Sequence, residues 1–205
     1  MHKSSPSMVV VFRRTGERRY AVDVKRPPFR ALEMDPAPGY DQLMPHDLMH
    51  LVVEAELGLK QGIYGQLSSG GDAGTFRPTF NAKETSKEIA RLRRRVKSRG
   101  AKQLQDGRDD CAQSERATYI CWQHWLATSQ SSNRKMTAAA MAQQAKEVRD
   151  VAGDSELAAF DQKKLDEICK HLDELSAYWS KLEVGQSMSV RWPDLAILPA
   201  EPHGQ

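Results

Sequence analysis

The spacing of apolar residues is strand-like near the N-terminus, helical in the middle of the chain and strand-like again near the C-terminus. This order of patterns constrains the fold more than any other feature of the sequence. Near the N-terminus, Met8–Phe12 is a valine-rich run, and apolar residues alternate with polar ones between Arg18 and Lys25. Alternation with a period of two, which is typical of strands, returns only at 187–192. Because the other strand patterns all lie near the N-terminus, we expect the late strand to join the early ones in one sheet.

Between these two regions the apolar spacing is helical. Residues 42–57 are apolar on more than one side and end at Gly58, a residue typical of helix C-termini. Asp41 is expected to cap the start of this helix, and a loop is expected at 35–39. Further helices are predicted at 83–98, 110–127, 135–151 and 155–182.

The sequence therefore predicts an α+β fold. A small antiparallel sheet from 8–34 and 187–192 would pack on the helix at 42–57, and a long, mainly α-helical insert would separate the two sheet segments. At 205 residues and 23.1 kDa, the chain is long enough for one domain, or for one domain with an appendage, without a disulfide.

The same elements predict a division into a body and an arm. The body would comprise residues 1–75 and 184–198, the helical arm residues 83–182, and a disordered tail residues 199–205. The alternative is one core shared by body and arm, since the aromatic residues Tyr119, Trp122 and Trp125 can equally pack against the sheet.

The last predicted helix carries an apolar seam with the a/d spacing of a coiled coil over nearly three heptads. The seam residues are Leu165, Ile168, Leu172, Leu175, Trp179 and Leu182. This length suits an intramolecular helical hairpin with an earlier helix, for which 83–98 is the expected partner. An oligomer formed through the same residues is the alternative.

Several classes of protein are excluded by composition. The longest uncharged apolar run, Met8–Phe12, is far shorter than the ~18 residues that a membrane-spanning helix needs. Arginines follow this run at once, which is unlike a signal peptide. The three cysteines lack CxxC spacing and fit reduced thiols. We therefore expect a cytoplasmic protein that does not enter a membrane.

One segment has the spacing of metal ligands. His46 and His50 lie at i and i+4, and Glu54 lies one turn further on, so their side chains share one stripe of the predicted helix. Two imidazoles and a carboxylate are a ligand set for zinc or another divalent transition metal. Asp47 is expected to orient an imidazole or to be a fourth ligand. The alternative is that both histidines are packed or capping residues satisfied by backbone carbonyls.

The segment from Pro45 reads PHDLMHLVVEAELGL, and Trp179, Gly185 and the run VRWP ending at Pro193 follow near the C-terminus. In these residues the chain resembles small uncharacterised (hypothetical) bacterial proteins that carry a PHDLxHxxVE-type helix. This resemblance implies no activity. The helix is also similar to the HExxH helix of zinc peptidases, although Asp47 stands at the glutamate position. It is similar as well to the HDxxH helix of a family of ubiquinone-biosynthesis proteins, although Gly62 stands where their acidic ligand is expected.

A strongly basic segment is the second functional feature. Residues 83–102 hold nine lysines and arginines but only two acidic residues. The residues expected to contact nucleic acid are Arg91, Arg93, Arg94, Arg95, Lys97 and Arg99. Such a cluster suits the neutralisation of phosphates. The alternative is a solvated face, or packing of this helix on the acidic residues Asp166, Glu167, Asp173 and Glu174 of the last predicted helix.

The sequence leaves two functions open. The first is a metal-dependent, hydrolase-like protein that acts on a peptide or small molecule, with Glu54 as third ligand or as the general base for a metal-bound water. The second is a non-enzymatic interaction protein that binds an acidic protein or a nucleic acid through its basic arm. Elemental analysis for metals and salt-dependent binding distinguish the two.

Overall fold

The computed structural model describes residues 8–128 and 162–199, and it shows the predicted α+β fold. The strands are β1 (Met8–Gly16), β2 (Arg19–Lys25), β3 (Leu32–Ala37), β4 (Arg77–Pro78), β5 (Ser187–Trp192) and β6 (Ile197–Leu198). They form one antiparallel sheet in the order β4-β3-β2-β1-β5-β6. Strand β5 pairs with β1, with Met8 opposite Trp192, which confirms that the late strand joins the early ones.

Apolar pairs across the strands set the register of the sheet. Val10 lies opposite Val24 on one side and opposite Val190 on the other, and Phe12 lies opposite Val22. All five side chains are fully buried. A slip of one residue would move them to the opposite face of the sheet, so the alternation predicted from the sequence also fixes the pairing.

The described helices are α1 (His46–Leu57), α2 (Ile63–Ser68), α3 (Ser86–Asp106), α4 (Arg108–Thr128) and α5 (Gln162–Trp179). Helix α1 ends at Leu57, and Gly58, with φ 64°, follows it as predicted. It begins at His46 rather than at 42, and the prediction that Asp41 caps it is wrong. Pro45 occupies the N-cap, and the carboxylate of Asp41 accepts the main-chain N–H of Leu43 instead.

Other predicted boundaries also differ from the structure. Strand β3 continues to Ala37, so the first part of the loop predicted at 35–39 is wrong; a register shift between Tyr20 and Val22 accommodates Pro36. The helix predicted at 135–151, the start of the helix predicted at 155–182 and residues 200–205 of the tail lie outside the described residues. None of the helices in the two described ranges is long and apolar enough to cross a lipid bilayer.

Helix α1 connects the sheet to α4 and α5. It packs against both helices and is buried along most of its length. Ile168, Leu172 and Trp179 of α5 are fully buried and join the same apolar cluster as the sheet residues. The ring of Trp179 meets that of Tyr20 edge-on, with 5.9 Å between the ring centres. One continuous apolar cluster therefore includes the sheet, α1, α4 and α5.

The apolar seam of α5 is covered within the chain. Helix α5 packs against α1 and α4, and the indole N–H of Trp125 donates to Asp173 at 2.8 Å. The prediction that 83–98 is the main partner of the seam is wrong, since α3 packs against α2 and α4. Because Leu175 and Leu182 are also buried, the seam offers little exposed apolar surface for an oligomer.

Arg26 is a buried cation that links the end of β2 to the loop after α2. Only 3% of the residue is exposed. Its Nε donates to the carbonyl of Arg30 at 2.7 Å, and its Nη1 donates to the carbonyls of Leu67, at 2.7 Å, and Gly71. Burial lowers the pKa of Arg26 to about 10. The guanidinium thus satisfies three carbonyl oxygens from two separate segments.

We expect Arg26→Lys to lower the free energy of unfolding by about 2–4 kcal/mol, because an ammonium group cannot reproduce the planar fork and leaves buried carbonyls unpaired. Urea denaturation followed by circular dichroism measures this change. The control is Arg19→Lys, whose side chain is 57% exposed, and which should change the stability by less than about 0.5 kcal/mol. Equal losses in the two variants would contradict the assigned role of Arg26.

Candidate metal centre

The two histidines at the start of α1 lie side by side, as their spacing predicts. Their Nε2 atoms are 3.0 Å apart, and the rings meet edge-on. His50 is 1% exposed, whereas the side chain of His46 is 51% exposed. The main-chain N–H of His46 donates to the carbonyl of Gly39, and a Cβ at Gly39 would lie only 2.7 Å from that of His46. A glycine, with φ 73°, is therefore required where the loop meets the first histidine.

A carboxylate from α4 completes the group. Oε2 of Glu115 is 3.6 Å from Nε2 of His50 and 4.0 Å from Nε2 of His46. Two ligand atoms about 2.1 Å from a tetrahedral zinc ion lie about 3.4 Å apart. The three donor atoms can therefore approach one ion with small side-chain adjustments. The sequence does not reveal Glu115, because it lies 65 positions after His50 and reaches the site only through the packing of α4 on α1.

The protonation states at this group suit a metal. Burial, and then the neighbouring His50, lower the pKa of His46. The adjacent His50 imidazole lowers the pKa of Glu115. Neutral imidazole and ionised carboxylate are the forms that bind a metal ion, so binding at neutral pH releases few protons.

Ser114 determines which nitrogen of His50 faces the site. Its hydroxyl donates to Oε1 of Glu54 at 2.8 Å, and the same oxygen lies 2.8 Å from Nδ1 of His50. Because the single hydroxyl hydrogen is used on Glu54, the serine oxygen accepts the Nδ1–H of His50. Nε2 then keeps its lone pair toward His46 and Glu115. An imidazole fixed in this way through its second nitrogen is typical of metal ligands.

Glu54, which is predicted to be the third ligand or the general base, lies outside the group of donor atoms formed by His46, His50 and Glu115. Its carboxylate accepts the main-chain N–H groups of Ile63 and Tyr64, each at 2.8 Å, as well as the hydroxyl of Ser114. A Cβ at Gly62 would lie 2.5 Å from Cδ of Glu54, so a glycine is needed there. Burial raises the pKa of Glu54. Glu54 is fully buried, and its hydrogen bonds to the first turn of α2 engage both carboxylate oxygens.

Asp47, which is predicted to orient an imidazole or to be a fourth ligand, is buried beside Tyr20 of the sheet. Its carboxyl group hydrogen-bonds the hydroxyl of Tyr20, which also contacts the carbonyl of Pro38. The Tyr20 hydroxyl has one hydrogen to share between the carboxylate of Asp47 and the carbonyl of Pro38. Burial raises the pKa of Asp47. Asp47 thus ties α1 to the sheet.

The exposed side of the histidine group opens into a pocket of about 430 Å³. His46 and Glu115 lie in its wall. The other lining residues are Gly39, Tyr40, Asp41, Met44, Met49, Thr118, Tyr119 and Trp122. This volume suits a small molecule or a single side chain of a peptide. Zinc takes at least four ligands. An ion bound by these three donor atoms would therefore keep a coordination position for water or substrate.

No family model, curated protein or solved structure matches this chain. The resemblance to bacterial proteins with a PHDLxHxxVE-type helix therefore stays a prediction. Any function has to be argued from the site itself.

Two polar residues on the apolar side of α4 are a weak indication, in the sequence, that this helix contributes to a site. Ser114 and Thr118 are spaced by one helical turn and are 1% and 2% exposed, among the buried residues Ala117, Cys121 and Trp125. Polar residues on a buried stripe are uncommon unless they have a partner. Here that partner is His50, which lies 3.2 Å from the hydroxyl of Thr118.

Proposed function

We propose that the chain is a metal-dependent enzyme of hydrolase type, in which His46, His50 and Glu115 bind one divalent transition metal ion. The observation that carries the proposal is the convergence of three donor atoms, separated by 3.0 to 4.0 Å, at the wall of a pocket. Zinc is the first choice, because catalytic zinc sites use two histidines and one glutamate and keep an open position. Iron(II) shares this ligand set.

A metal ion held there would lower the pKa of a coordinated water toward ~7 and supply the nucleophile. The side chains of the pocket define what can approach it. Tyr40, Tyr119 and Trp122 provide aromatic surface, and Met44 and Met49 provide apolar surface. We infer that the substrate is a small molecule or a peptide that places an apolar or aromatic group beside the scissile bond.

Metal binding tests this proposal directly. We expect inductively coupled plasma mass spectrometry to find one transition metal ion per purified chain. His46→Ala and Glu115→Gln should each weaken zinc binding by more than about 100-fold, since removal of a ligand costs more than removal of a group that orients one. The control is His171→Ala, because His171 lies beside Glu56 at 3.2 Å and outside the group. A protein without metal, or equal losses in the control, would show the proposal to be wrong.

Removal of the metal should also lower the stability of the fold, because an ion bound only by the native state stabilises it by mass action. At a free zinc concentration of 1,000 times Kd, the effect is about 4 kcal/mol. We expect the melting temperature to fall on addition of a chelator and to recover with excess zinc. The Glu115→Gln variant should melt at the same temperature with and without zinc.

A second candidate function comes from α3, which we propose as a surface for an acidic protein or a nucleic acid. The six cations predicted for this role are exposed, and none forms a salt bridge within the parts of the chain that the structure describes. This role does not involve the metal centre. Binding of a polyanion that weakens steeply with salt would support it.

A further inference from the structure

The outward face of α3 is a continuous cationic surface. Val96 and Gly100 are the buried residues of this helix. At 100° per residue, the opposite side carries Lys87, Arg91, Arg94, Arg95 and Lys102, and Lys97 lies on the flank of the helix; all six are exposed. These cations extend over about 22 Å along the axis. The sequence has no acidic residue from Ile89 to Gln105, so Glu88 in the first turn is the one acidic residue of α3 within the length of this surface.

Three of the four acidic residues of α5 that could offset this charge have other partners, and Asp166 accepts the side-chain amide of Gln162 at 2.7 Å. Glu167 pairs with Lys164 at 3.0 Å, and Asp173 accepts the indole N–H of Trp125. No salt bridge links α3 to α5 within 8–128 and 162–199. The charge of α3 is therefore not neutralised by the helix that was expected to cover it.

Two further arginines fix α3 on the body. The guanidinium of Arg93 lies 5.1 Å from the centre of the Phe80 ring, and that of Arg99 lies 5.2 Å from the centre of the Phe29 ring. Each ring also carries a second guanidinium, from Arg30 or Arg26. Rings occupied in this way are not free to stack on nucleic acid bases, which argues against a single-stranded partner.

The outward face of α3 is exposed and cationic, and the rings of Phe29 and Phe80 are already covered by guanidinium groups. We therefore propose that α3 binds in the major groove of duplex DNA through contacts to the phosphate backbone. This inference rests on the second function proposed above and names its partner. A helix about 10–12 Å wide fits the major groove of B-form DNA, which is about 12 Å wide. Cations on both flanks of the exposed face reach phosphates on both walls. The major groove of duplex RNA is too narrow for a helix.

Fluorescence anisotropy with a labelled DNA duplex of about 20 base pairs, a length that exceeds α3, tests the proposal on the full chain. The variant combines Arg91→Gln, Arg94→Gln and Arg95→Gln. The control combines Arg18→Gln, Lys60→Gln and Lys181→Gln, which removes the same charge from exposed positions elsewhere. We expect the α3 variant to bind at least about tenfold more weakly and to lose about 2–3 units of the log–log salt slope. The control should change little, and circular dichroism should show all three proteins folded.

Parallel titrations with single-stranded DNA, duplex RNA and polyglutamate identify the partner. Tighter binding of duplex DNA than of the other three supports the proposal. Equal binding of single-stranded DNA or duplex RNA, or equal loss in the control variant, overturns it. Binding of polyglutamate alone would overturn the DNA proposal but keep α3 as an interaction surface, and no binding at low salt would overturn both. A chelator in every titration separates these results from the metal centre.

Discussion

Replacement of residues 83–182 by a short linker should leave a polypeptide that does not unfold cooperatively. Ile168, Leu172, Leu175 and Trp179 of α5 are buried in the same cluster as the sheet and α1. Each such side chain contributes about 1.5–3 kcal/mol on burial, so their combined loss approaches the 5–15 kcal/mol that stabilises a typical domain. The deletion also removes Trp125 and uncovers α1.

Differential scanning calorimetry of the deleted chain measures this effect, and binding of a hydrophobic dye reports the exposed surface. Point variants in the full chain provide a folded comparison. Trp179→Ala should cost about 3–5 kcal/mol, whereas Leu104→Ala, at a residue 38% exposed on α3, should cost less than about 1 kcal/mol. A cooperative melt of the deleted chain would instead establish residues 1–75 and 184–198 as an independent body.

Glu54→Leu should be the most destabilising single substitution at the candidate centre, with a loss of about 3–6 kcal/mol. The change leaves three donors without this acceptor, namely the half-buried N–H group of Ile63, the buried N–H group of Tyr64 and the buried hydroxyl of Ser114. Each unsatisfied donor costs about 1–3 kcal/mol. Chemical denaturation measures the loss, and Glu33→Leu, at an exposed position of β3, is the matched control.

The Glu54→Gln variant separates support of the fold from metal ligation. It keeps one acceptor oxygen, so we expect a smaller loss of stability and an unchanged stoichiometry of one zinc ion per chain. Loss of zinc binding, together with a stability equal to that of the unsubstituted protein when both are measured with a chelator, would show that Glu54 is a ligand. In that case the hydrogen bonds that Glu54 accepts from α2 and Ser114 would contribute little to the stability of the fold.

The parts of the fold that depend on local spacing can be predicted from the sequence. The alternation at 187–192 identifies a strand, and Gly58 marks the end of α1, because both signals act within a few residues. The start of α1 cannot be located in this way. Asp41 is a plausible cap, but its carboxylate is bound to the N–H of Leu43, and the chain needs four more residues before the helix begins.

The candidate centre shows the same limit. The pairing of His46 and His50 follows from helix geometry, and so does the presence of Glu54 on the same side. The third donor atom comes from Glu115, and its position depends on how α4 packs against α1. Glu54 is withdrawn from the group because α2, a helix of six residues without a strong pattern, offers it two N–H groups.

The pairing of β1 with β5 has a consequence for synthesis on the ribosome. Strand β1 is central in the sheet, yet its partner on one side lies more than 180 residues later, since Met8 pairs with Trp192. At 5–20 residues per second, about 10–40 s pass between the emergence of the two strands. During this time the hairpin of β1 and β2 has one bare edge with valines beside it. The nascent N-terminal hairpin is thus the part of the chain that most needs protection from pairing with other polypeptides.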